Sequence, residues 1–73
     1  MDIGIVADIS KFVSNVETYN LHKSKKNYRV LKKSYTQLVF SLKMEYKRGS
    51  VSISEYNEMI QKYSDIFQNI EGK

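Results

Sequence analysis

One interior break constrains this chain more than any other feature. The stretch Gly49-Ser50-Val51-Ser52-Ile53-Ser54-Glu55-Tyr56 reads as one helix ending and another starting within a few residues. Gly49 is the residue type that takes positive φ past a helix end, and Ser52 with Glu55 three positions later forms a capping box. Two helices joined so tightly must fold back on each other. Proline is absent and the other glycines stand at positions 4 and 72, so no second break of that strength exists and the remainder defaults to helix.

Periodicity then places the helices. Ile5, Ile9, Phe12, Val16 and Tyr19 alternate spacings of four and three, which puts them on one stripe of a first helix at about residues 3–19. Asp2 is its expected cap, and Val6 and Val13 widen its stripe. Tyr28, Leu31, Tyr35, Leu38, Leu42 and Tyr46 define a second helix at about 24–48, with Ser24 at its N-cap. Tyr56, Ile60, Tyr63, Phe67 and Ile70, widened by Met59 and Ile66, define a third at about 53–71, closed by Gly72. Phase excludes a single long helix up to residue 48, because extending the first stripe would place Lys23, Lys26, Lys33 and Gln37 on the apolar face. A turn near Asn20 to Lys23 resets it. Stripes this broad favour a compact all-α three-helix bundle, one domain over residues 1–73, rather than an isolated coiled coil. A chain of 73 residues buries a small core, so a homodimer or a partner is expected to complete its stability.

Composition removes most catalytic classes. There is no cysteine, hence no disulfide, no thiol nucleophile and no cysteine zinc site, and the compartment leans to the cytoplasm. His22 is the single histidine and reads as an exposed turn residue rather than a metal ligand. Glu55 and Glu58 fall in the first turns of the third helix, where carboxylates serve backbone donors and the helix dipole. Neither a G-x-S-x-G elbow nor a glycine-rich phosphate loop occurs. The expectation is a protein without enzymatic activity, cofactor or metal. The opening residues lack a basic region and are interrupted by Asp8, so neither a signal peptide nor a membrane span is expected, and the chain reads as soluble from Met1.

The C-terminal half resembles a known family on specific residues. Leu38, Leu42 and Tyr46 lead to Gly49; Val51 is the aliphatic residue after it, Ser52 the cap, Glu55 the box acid and Tyr56 the aromatic. This register, over roughly residues 38–66, is similar to that of the short C-terminal domain of bacterial proteins, SHOCT. Ile53 and Ser54 depart from it, standing where that family carries an acidic pair. The resemblance implies a hairpin that oligomerises or docks, and no catalysis.

Charge points to the second helix as the contact surface. Residues 21–48 hold nine Lys or Arg against Glu45, a net of +8, whereas residues 1–20 and 49–73 each net −2. Part of that excess is expected to balance the acidic first and third helices across the bundle. Projected at about 100° per residue, Phe40 and Met44 lie opposite the core stripe, among Lys26, Arg29, Lys33 and Lys47. An apolar spot inside a basic rim is what an interface with an acidic partner needs. Lys25, Lys26, Arg29, Lys33, Phe40, Met44 and Lys47 are therefore the expected partner-binding residues, with a protein or a second copy as partner. Nucleic acid is the alternative, held by nonspecific phosphate contacts along the lysines. Against it, Tyr28 and Tyr35 sit in the core phase, only Arg29 and Arg48 are arginine, and the third helix presents Glu55, Glu58, Asp65 and Glu71, which phosphates repel. A membrane-surface role ranks lower, since the apolar side is needed for folding. The expected function is that of a small regulator or adaptor, a size and composition also found among proteins of phages and other mobile elements.

Overall fold

The computed structural model describes residues 3–71 and places three helices in order: α1 (Ile3–Leu21), α2 (Lys25–Arg48) and α3 (Ile53–Glu71). No strand occurs among the described residues. The expected caps at Asp2 and Gly72 lie outside them.

Local chemistry explains each boundary. The Ser24 hydroxyl accepts the Asn27 amide at 3.1 Å and starts α2 from an extended backbone, while Asn27 Nδ2 donates back to the His22 carbonyl at 2.7 Å. At the other end Gly49 sits at φ +80°, and the Ser50 and Gly49 amides return to the Glu45 and Tyr46 carbonyls, both at 3.0 Å, which is a Schellman motif. The capping box forms in both directions: the Glu55 amide donates to Ser52 Oγ at 3.1 Å and the Ser52 amide to Glu55 Oε1 at 3.2 Å. Val51, in the turn between them, is buried. It stands at the position from which a hydrophobic staple reaches the first turn of the next helix.

The three helices share one core. Ile5 and Phe12 of α1, Leu31, Leu38 and Leu42 of α2, and Tyr63 and Phe67 of α3 are buried together. Phe12 occupies the middle, with no exposed surface, its ring centroid 5.6 Å from Tyr35 and 5.8 Å from Tyr63. Tyr35 stacks on Phe67 at 4.4 Å, and Tyr46 stacks on Tyr56 at 5.0 Å beside the turn. Partner numbers rise on α1 as they fall on α2, from Asp8 with Ser41 to Tyr19 with Tyr28, so those helices run antiparallel. Tyr46 with Tyr56 and Tyr35 with Phe67 show the same for α2 and α3.

Val6 and Val13 depart from expectation. They continue the α1 stripe in sequence, yet are 51% and 43% exposed. The cause is the layout: α1 and α3 both pack along α2, but no Cα of α1 comes within 8 Å of one in α3. Among the described residues the two outer helices meet through long side chains such as Phe12 and Tyr63, and the shorter valines remain uncovered.

Candidate functional site

Helical geometry lines up the outer face of α2. Lys26, Lys33, Phe40 and Lys47 are seven residues apart, nearly two full turns, and so fall on one stripe about 31 Å long. Arg29 and Met44 flank it at helical spacing. All these residues except Met44 are exposed, and Phe40 exposes 57% of its surface. Met44 is half-buried. It shares with Phe40 a concavity of about 250 Å³, closed on the α1 side by Gly4, Ile5 and Asp8 and at its end by Arg48.

That concavity is one part of a longer seam. A neighbouring hollow of about 620 Å³ is lined by Lys11 and Asn15 of α1 and by Val30, Lys33 and Gln37 of α2. Asp8 borders both hollows, which makes them one groove along the α1–α2 junction. The Ser41 hydroxyl donates to Asp8 Oδ2 at its floor. Asp8 is thereby held in the joint between the helices, a role that counting it as flanking charge did not reveal. Val30, 46% exposed, and Lys11 extend the face beyond the residues expected from α2 alone.

The cations of this face are not neutralised from across the bundle. Among the described residues, Lys25, Lys26, Arg29, Lys33, Lys43 and Lys47 have no carboxylate within ion-pair distance. Among the described residues one ion pair, Arg48 Nη1 to Glu45 Oε1 at 3.5 Å, lies within α2 itself. Glu45 is buried on the flank of α2 that adjoins the α1 seam. For these six cations, among the described residues, balance against acidic α1 and α3 is thus diffuse and not built from direct ion pairs.

The expected binding residues divide into two groups. Phe40, Met44, Lys26, Lys33 and Lys47 face or edge the α1–α2 groove and its stripe. Lys25 and Arg29 instead line a separate concavity of about 450 Å³ at the α1–α2 turn, with Tyr19, Lys23, Tyr28 and Lys32. His22 is exposed in that turn, and Tyr28 and Tyr35 are committed to the core through Phe67. Among the described residues no group of three His, Cys, Asp or Glu is placed to hold a metal, and no helix is long and apolar enough to cross a membrane.

Compared with protein-family models, with curated proteins and with solved structures, the chain matches none of them.

Proposed function

We propose that this protein is a binding module without catalytic activity, a small regulator or adaptor that takes an acidic segment of another protein along α2 and the α1–α2 groove. The observation that carries this reading is Phe40: a large aromatic side chain, more than half exposed, amid lysines that no described carboxylate answers. An exposed aromatic beside a half-buried methionine is the composition of an interface anchor, and surrounding like charge accelerates encounter with a partner of opposite sign. The groove, bordered by Val30, Phe40 and Met44 with Lys11 and Lys33 on its rim, suits an amphipathic helix with acidic flanks. The SHOCT-like register of residues 38–66, which implies a hairpin that oligomerises or docks, is compatible with a binding role.

Charge also ranks the partners. A second copy would meet this face through a two-fold axis and set the same cations against themselves, so a foreign acidic protein is favoured over a homodimer here. Nucleic acid answers the charge but leaves Phe40 and Met44 without a role. The test is affinity capture from the native host with wild type, Phe40→Glu and Met44→Glu side by side, followed by direct binding of the purified captured protein. A partner held by wild type and lost by both variants, with the far-ultraviolet helical signal unchanged, is the expected result. Equal capture by all three, or recovery of nucleic acid alone, contradicts the proposal.

A further inference from the structure

A second feature stands apart from the Phe40 face. At the α1–α2 turn, Lys23, Lys25, Arg29 and Lys32 line one concavity of about 450 Å³ together with Tyr19, Ser24 and Tyr28. All four cations are exposed, and among the described residues none has a carboxylate partner. Tyr19 and Tyr28 pack edge to face with centroids 5.9 Å apart, giving the hollow a rigid aromatic wall.

This arrangement carries a local electrostatic cost. Lys25 and Lys26 occupy the first turn of α2, where the helix dipole is positive and cations are disfavoured, and no acidic residue stands in that turn. Lys25 and Arg29 are four residues apart and Arg29 and Lys32 three apart, so like charges face each other on the helix surface. The Ser24 cap already finishes this helix end, as a Schellman turn and a capping box finish the α2 C-terminus and the α3 start, so its cations are not needed to complete the helix. Local cost concentrated at one concave spot is the mark of a functional site.

We infer that this concavity binds a ligand carrying adjacent phosphates. Four cations around one hollow exceed what a single carboxylate, with one charge and two oxygens, can satisfy. A phosphate brings up to about two charges and three acceptor oxygens, and Arg29 supplies the planar fork that holds them in pairs. The same chemistry is presented by a free polyphosphate ester and by the backbone of a single strand of nucleic acid.

The experiment separates this site from the Phe40 face, because Lys23 and Lys32 lie outside the proposed partner-binding residues. Sodium pyrophosphate, ATP and a short oligo(dT) are titrated calorimetrically into wild type, Lys23→Gln/Lys32→Gln, and the charge-matched control Lys43→Gln/Lys62→Gln. The expected result is one site per chain, weakened about tenfold or more in the first double variant, the size of one lost charge-assisted hydrogen bond, and unchanged in the control. Pyrophosphate or ATP binding as tightly as oligo(dT) identifies a small phosphate ester as the source. Oligo(dT) binding far more tightly, with a steep salt dependence, identifies nucleic acid. No saturable binding, or equal loss in both double variants, overturns the proposal in favour of diffuse charge attraction.

Discussion

Two phenylalanines show how position decides the role of one side chain. Phe12 has no exposed surface and touches rings on both other helices, whereas Phe40 exposes 57% of its area on the opposite side of α2 from the core. Removing the Phe12 ring leaves a cavity no neighbour can fill, so Phe12→Ala is expected to cost about 3–5 kcal/mol. That approaches the whole stability of a small domain, which is at the low end of about 5–15 kcal/mol, so circular dichroism at 25 °C should show a largely unfolded variant. A native-like helical signal would show that the aromatic cluster is not the centre of the fold. At Gly49 the backbone alone matters: its φ is +80°, and a Cβ there meets nothing within 4 Å. Gly49→Ala is therefore expected to lose about 1–2 kcal/mol through left-handed strain, with urea unfolding as the measure, and no loss would mean the turn relaxes to another geometry.

At the scale of elements, what the sequence discloses is what is encoded nearby. The helix ends at Ser24, Gly49 and Ser52 are legible because a cap is satisfied within five residues, and the hydrogen bonds at all three follow that chemistry. The outer face of α2 is legible by phase, since Phe40 cannot share a side with Leu38 and Leu42. Val6 and Val13 mislead because a stripe reports which way a helix faces but not whether a neighbour closes on its edge. Asp8 with Ser41 and the burial of Glu45 were equally hidden, as polar residues on the flank of a stripe carry no pattern until the adjoining helix is in place. Nor does phase show that Lys25 and Arg29 belong with Tyr19 and Lys23 of the turn. Ser52→Ala is expected to destabilise the chain by about 1 kcal/mol. In a double-mutant cycle with Glu55→Ala the two losses should be less than additive, because both residues serve one capping box; strict additivity would mean the box is not formed in solution.

For the whole molecule, the open side between α1 and α3 has a measurable signature. The accessible surface is 5237 Å², against about 4,700 Å² expected from the mass of a compact protein of this size. The Cα radius of gyration is 12.5 Å, against about 11 Å expected for its length. The chain is thus thin and extended, with extents of 38 × 22 × 14 Å and basic α2 packed between two acidic outer helices. Since Lys25, Lys26, Arg29, Lys33, Lys43 and Lys47 have no carboxylate partner among the described residues, these cations of α2 repel one another more than they are neutralised. Raising sodium chloride from about 0.01 M to about 1 M shortens the screening length from about 30 Å to about 3 Å, and the thermal midpoint is expected to rise. A falling midpoint would reveal ion pairs between helices that hold the bundle together.

In the proposed function, the outer face of α2 is a recognition surface that folding does not need. Urea unfolding of Phe40→Glu beside wild type addresses it directly. The account predicts a stability within about 0.5 kcal/mol of wild type, as for a surface substitution. A loss of about 3 kcal/mol or more, the scale of a buried aromatic, would place Phe40 in a core and contradict it.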